Sequence, residues 1–252
     1  MMKIISFKLM GKMAHFRKFY SNSSALTYYI PPRTTIIGII AGLLGYERDS
    51  YYEEFSREVC KVALKINQSG KKIIQKMNYL MITVPKNDLN GSAEHHSQTA
   101  VEYLLPDNIR TGNIEYQIWF QHSNEIIMEK LENKLNENYY KSEGISFALG
   151  SAFNLGWIEN EGIFKGIERA ETAVVDISSI ISTNSIKQLS GDKLLNNYKI
   201  VKERIPLEFN RNREITSNGI GEFIFDLGGK NIPVEVTGYI EINNQQKITW
   251  LE

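Results

Sequence analysis

The chain has 252 residues, enough for one large domain or two small ones with a sizeable core, and its 29 basic and 29 acidic side chains cancel. That balance excludes a global field that draws in nucleic acid, so any RNA or DNA site must be a local patch. A single cysteine excludes an internal disulfide framework, and no apolar run approaches the ~20 residues a bilayer needs, so a cytoplasmic protein without a membrane segment is expected.

Lys3 to Met10 alternates and predicts a first strand, ended by Gly11. The stretch from Gly11 to Gly45 then organises the chain. It carries a basic and aromatic cluster, His15-Phe16-Arg17-Lys18-Phe19-Tyr20, a polar loop, and Thr27-Tyr28-Tyr29-Ile30-Pro31-Pro32-Arg33. The apolar run from Thr34 to Leu44 follows and predicts a helix. Pro32 stands just ahead of it, where a missing N–H costs nothing. Gly38 and Gly42, one turn apart, each cost a helix about 1 kcal/mol relative to Ala. Their spacing predicts close approach to another backbone, and Gly45 is a C′ stop. A buried helix thus anchors a loop that brings Arg, Lys and aromatic groups to the surface.

Tyr46 to Phe55 is acidic and rich in tyrosine, and a short helix is expected there. Glu58 to Asn67 and Lys71 to Val84 alternate on either side of Ser69-Gly70, which predicts a hairpin, with Cys60 packed in the core. Pro85 to Gly112 has no period and is long for a connector, so it is expected to be a functional protrusion or lid. Ile114 to Phe120 is a strand, Ser123 caps a helix over Asn124 to Asn136, and Ile145 to Ile158 is a further apolar segment. This is the βαββαβ order of a ferredoxin-like (RRM-like) domain in an α+β protein, over 1–158 with an insertion at about 85–112. From 159 to 252 alternating segments at Ala173 to Ile181, Tyr198 to Phe209, Gly221 to Phe225 and Val234 to Ile242 predict a β-rich region packed on the first.

The organising stretch resembles the N-terminus of the CRISPR-associated RAMP family five, the type I Cascade subunit that holds the 5′ handle of the guide RNA. Ala14 to Tyr20, Leu26 to Gly38 and the run to Leu44-Gly45 carry the resemblance. Thr99 to Pro106 followed by Ile114 to Phe120 looks like that family's RNA-touching hairpin and the strand after it. Phe147-Ala148-Leu149-Gly150-Ser151 and Glu203-Arg204-Ile205-Pro206 are similar to two later segments. The Phe-Arg-Lys and Pro-Pro-Arg forms look most like the type I-B branch.

Arg17, Lys18 and Arg33 flank aromatics in two loops that the helix brings together, so phosphate contact stands against plain solvation. Phe16, Tyr20 and Tyr28 either pack internally or stack unpaired bases, with one of the three, Phe16, expected in the core. His95 and His96 lie in the insertion with Glu94 and Gln98. They lack thiolates and a helical spacing, which disfavours zinc. As acid and base for RNA cleavage they have a suitable pKa; as RNA contacts, with Gln98 and Arg110 beside them in the insertion, they need no special geometry. His15 with Lys18 and Tyr20 is a further catalytic set on paper, or an RNA contact. His122 reads as structural, and Arg211 and Arg213 as a second, solvated basic patch. No P-loop, dinucleotide fingerprint, catalytic triad or metal motif is present, and no cofactor is expected.

The resemblance implies a non-catalytic cap on the crRNA 5′ handle, with Cascade backbone subunits and a large subunit as partners and target DNA reached only through the complex. The rival is a metal-independent endoribonuclease that processes CRISPR repeat RNA, as one branch of the family does, using Lys18 or Tyr20 with His95 or His96.

Overall fold

The computed structural model describes residues 1–21, 24–80, 96–136, 141, 144–189, 198–243 and 245–252. In chain order its elements are β1 (Met2–Gly11), α1 (Arg33–Leu43), β2 (Cys60–Gln68), β3 (Lys71–Leu80), β4 (His96–Leu105), β5 (Ile114–His122) and α2 (Glu125–Asn136). They continue as β6 (Phe147–Ala148), β7 (Leu155–Arg169), β8 (Ala173–Ile177), β9 (Ile181–Ser182), β10 (Ile186–Leu189), β11 (Ile200–Pro206) and β12 (Ile220–Asp226). The last three are β13 (Ile232–Val236), β14 (Tyr239–Ile242) and β15 (Gln246–Ile248).

β1 lies in the middle of a seven-stranded antiparallel sheet of order β15-β14-β7-β1-β5-β2, with β6 added beside β7. Its Ile5, Phe7 and Leu9 join one core with Ile36, Ile37 and Ile40 of α1 and Ile127, Leu131 and Leu135 of α2. Ile4 joins a separate core with Ala63, Trp119, Ile240, Ile242 and Ile248. Both faces of the sheet are therefore covered, which is why β5 is buried almost throughout and does not alternate. The sheet also curls. Ser178 N–H donates to Lys247 O on β15 at 2.7 Å, while Ile180 N–H donates to Leu64 O on β2 at 2.8 Å. One short segment thus covers both edges, and Leu251 N–H adds a bond to Val62 O at 2.8 Å. A third core, from Val175 and Ile177 to Val234 and Val236, fills the space between sheets β10-β13-β8 and β11-β12-β9.

α1 begins and ends within a residue of the expected helix. Gly45 has φ +80°, and its N–H meets Gly42 O at 3.1 Å while Tyr46 N–H meets Ala41 O at 3.0 Å, a Schellman stop. The reason expected for Gly38 and Gly42 is not the one observed. A Cβ at Gly38 would meet only the Tyr51 hydroxyl at 3.1 Å, and at Gly42 it would meet open space. Among the described residues no backbone approaches within 4 Å; the two face a groove between α1 and residues 145–148. Tyr46 to Phe55 forms turns rather than a helix, with Tyr46 and Tyr51 edge-on to the Phe55 ring. Asn124, not Ser123, caps α2, its Oδ1 accepting Ile126 N–H at 2.9 Å.

The largest departure concerns strand pairing. β2 does not form a hairpin with the next strand: it pairs with β5. β3 leaves the sheet and pairs with β4, from Lys71↔Leu105 to Leu80↔His96. The excursion therefore begins at Lys71, and its return is a strand over part of the stretch expected to lack one. Gly70 sits at the crossing, where a Cβ would lie 2.9 Å from Leu105 O. Residues 81–95 lie outside the described residues. β7 runs through the boundary expected at 158/159, and β14 and β15 extend the same sheet from the C-terminal part.

Candidate nucleic-acid interface

The loop between β1 and α1 is sewn to the edge of β4. Ala14 and Leu104 exchange N–H···O bonds at 3.0 and 2.8 Å; Ala25 N–H meets Ala100 O at 3.2 Å and Glu102 N–H meets Ala25 O at 2.8 Å. Within the loop, Lys18 N–H donates to Leu26 O at 2.9 Å and Tyr28 N–H to Phe16 O at 2.8 Å, so the basic cluster is a fixed turn. On its other side His15 N–H donates to Leu149 O at 2.9 Å. Gly150 follows at φ +94°, and a Cβ there would lie 1.7 Å from His15 O, so only glycine lets the two segments meet.

Together these pieces wall a cleft of about 830 Å³. His15 to Phe19 form one side and Pro32, Thr34 and Thr35 at the start of α1 another; Gly150-Ser151, Thr99 and Pro206 with Phe209 complete it. α1 has no side-chain cap and no acidic residue in its first turn. Thr35 N–H donates to Pro32 O at 2.9 Å, and the partial positive charge of the helix start lies at the cleft wall that Thr34 and Thr35 form.

The expected site residues divide sharply. Arg17 is exposed on the cleft, its guanidinium donating to Ser21 O at 3.1 Å, with no carboxylate partner among the described residues. Tyr20 is exposed and edge-on to Phe19, ring centroids 5.2 Å apart. Lys18 lies half-buried, 3.3 Å from the Glu203 carboxylate and over the Tyr28 ring at 5.3 Å. Burial opposes its charge, but Glu203 and the Tyr20 oxygen outweigh that and hold the amine above its ordinary value.

Four residues of the candidate RNA-binding set lie inside the protein. Arg33 is 2% exposed and donates to the carbonyls of Leu207, Phe55 and Cys60 at 3.1, 3.0 and 2.8 Å. It holds the start of α1 to two other segments and has no face left for a phosphate. Tyr28 is fully buried, its hydroxyl donating to Arg204 O at 2.9 Å, and burial pushes its pKa up. Phe16 packs edge-on to Tyr116 at 6.0 Å, in the core as expected. His15 borders the cleft but is buried, with Nδ1 2.7 Å from Glu102 O, and burial holds its pKa below the ordinary value. Gln98 is exposed on β4 and Arg110 on the turn before β5, neither lining the cleft. His96 opens β4 by its backbone, and His95 lies outside the described residues.

Beneath the loop is a charge cluster that the site assignment from sequence omitted. Lys72 Nζ lies 3.5 Å from Glu102, 3.9 Å from Glu203 and 4.1 Å from the Tyr29 ring centroid, and donates to Thr27 O at 2.5 Å. Glu102 accepts Thr27 N–H at 2.8 Å, and Glu203 accepts Tyr29 N–H at 3.1 Å. The cluster ties the β3-β4 excursion, the basic loop and β11 to one another. A signal was present: Val201, Glu203 and Ile205 share one face of a strand, which puts an acid at an inward position.

Arg211 and Arg213 are ion-paired, not a free patch. Arg211 meets Glu53 at 2.6 Å, and Arg213 grips both oxygens of Asp49 at 2.8 Å. His122 is structural, bonded to Glu54 O and Asn124 N–H. Cys60 is buried in the core, which pushes its thiol up to about 12. Among the described residues no group of three His, Cys, Asp or Glu is placed to hold a metal, and no helix is long and apolar enough to cross a membrane.

Residues 4–105 match the family model of the CRISPR-associated protein (Cas_Cas5). That match spans β1, the basic loop, α1 and the β3-β4 excursion. Among solved structures the chain is similar to a CRISPR protein from Archaeoglobus fulgidus, at TM-score 0.54 and 11% identity over 98% of this chain and 97% of that one. The likeness establishes a shared fold. A chain titled as a CRISPR RNA-guided surveillance complex aligns at TM-score 0.46 and 11% identity over 91% of each. No curated protein matches the chain.

Proposed function

We propose that this chain is a non-catalytic subunit of a type I CRISPR Cascade surveillance complex and that it caps the 5′ handle of the crRNA in the cleft. The observation that carries the reading is the cleft itself. It places exposed Arg17 and the Phe19-Tyr20 pair beside an uncapped helix N-terminus, on the segment that matches the family model. A fixed cation and a helix N-terminus suit phosphates, and exposed rings suit unpaired bases. The overall neutrality fits a subunit that acts among partners, here the backbone and large subunits, while the guide pairs with target DNA. The order β7-β1-β5-β2, with α1 and α2 as the crossovers, supports reading the first part as a ferredoxin-like domain carrying the β3-β4 excursion. The type I-B branch is part of the same proposal, on the Phe16-Arg17-Lys18 and Pro31-Pro32-Arg33 forms.

Two features support a cap over a nuclease. His15 is buried, tied to a carbonyl and held below its ordinary pKa by burial, so it carries no ready proton to give; Lys18 is paired with Glu203 and held above its ordinary value, which makes it a poor base. The test is incubation of the full chain with labelled CRISPR repeat RNA in chelator, scored for binding on one gel and for cleavage on another. A shifted, intact band is expected. A discrete cut in the repeat overturns the non-catalytic reading and makes His95 and His96 the next residues to change.

A further inference from the structure

Large aromatic side chains exposed to solvent are few here. Among the described residues they are Phe19, Tyr20 and Phe153, at 37%, 53% and 54% of their full exposure. Of the three only Phe19 lines the cleft; Tyr20 packs on Phe19, and Phe153 rises beside the cleft from the turn whose Gly150 and Ser151 form another wall. Phe153 is not a loose side chain. Its ring rests 6.0 Å from that of buried Tyr103, which rests 5.6 Å from His15 on the cleft. The turn beneath it is held by Leu149 N–H to Asn154 O at 2.8 Å and Asn154 N–H to Ser151 O at 2.9 Å. A ring backed by another ring and open over half its surface is a preformed stacking platform, with its ordering cost met before a ligand arrives.

We infer that Phe153 stacks a nucleobase of RNA that runs out of the cleft past Ser151, as a second aromatic contact apart from Phe19 and Tyr20. The inference rests on the RNA reading of the cleft and sharpens it. Stacking on a side chain requires a base freed from its own neighbours, so the ligand is a single strand and not a duplex. It also supplies the stacking that Phe16 and Tyr28 cannot, because both are buried.

The test compares two probes on three proteins. The probes are a single-stranded RNA with the sequence of the repeat's 5′-handle segment and a ribose-phosphate strand of the same length without bases. The proteins are the wild type, Phe153→Leu, which keeps apolar bulk without a π-face, and Phe153→Tyr, which keeps the ring. Phe153→Leu is expected to bind the RNA roughly tenfold more weakly, to bind the base-free strand as the wild type does, and to melt at the wild-type temperature; Phe153→Tyr is expected to match the wild type on both probes. Equal loss on both probes, or no loss on either, overturns the inference and leaves the RNA cleft standing. If the wild type binds neither probe, the RNA reading fails and this inference fails with it.

Discussion

A guanidinium taken out of water must have its donors matched, and Arg33 has three backbone carbonyls to do so. Burial pulls its pKa down, yet the side chain remains the strut that joins α1 to the turns at Phe55 and Cys60 and to Leu207. Replacing it with Ala leaves those carbonyls unpaired. Arg33→Ala is expected to cost about 3 kcal/mol or more, read as a lowered denaturant midpoint, while the folded fraction keeps wild-type RNA affinity. Arg33→Lys recovers only part, since an ammonium lacks the planar fork that reaches all three carbonyls. Weakened RNA binding with an unchanged midpoint would instead return Arg33 to the phosphate role its place beside Pro31-Pro32 invited. Sequence alone could not separate these outcomes: both Arg17 and Arg33 sit in loops beside aromatics, and only the tertiary partners distinguish an exposed cation from a buried one.

At the scale of elements, propensity and capping were readable because they act locally. The start of α1 at Pro32 and its Schellman stop at Gly45 follow from residues within a turn of each end, while the cap of α2 lies one residue beyond the Ser123 expected, at Asn124. Pairing partners were not readable. The alternation in β2 and β3 marks two strands without saying that β3 turns away to meet β4. Besides the backbone bonds from Ala14 and Ala25, that excursion is held by the cluster of Lys18, Lys72, Glu102 and Glu203, whose members lie far apart in the chain. Glu203 is 5% exposed at its side chain and sits between the two lysines. Glu203→Ala leaves both amines and Tyr29 N–H short of a partner, and is expected to cost about 3–5 kcal/mol, as for other broken buried pairs. Limited trypsin digestion checks the location: new cleavage after Lys18 or Lys72 is expected before the rest of the chain is cut. A uniformly destabilised protein with no early cut there would mean that Glu203 packs β11 but does not hold the loop.

Across the whole molecule, the curled sheet, its covered edges and the three cores bring segments from both ends of the chain to one cleft. Pro206 and Phe209, from the part expected to be only a packed β-rich region, form part of its wall. Glu203 is nearby beneath the loop. The stretch from Gly11 to Gly45 was legible as a wall of the candidate cleft, because a basic turn beside a capless helix is written in consecutive residues. Phe153 was not, because only the tertiary contact of residues 149–150 with His15 brings its turn beside the cleft. The central claim is that this cleft holds RNA by its phosphates, with Arg17 as the cation that, among the described residues lining it, has no carboxylate partner. The affinity of a single-stranded 5′-handle RNA, measured against salt concentration for the wild type and Arg17→Ala, tests it directly. The account predicts weaker binding by the variant at low salt, a log–log salt slope shallower by about 0.7 for the one lost phosphate contact, and an unchanged melting temperature. Equal affinities and equal slopes for the two proteins would contradict it.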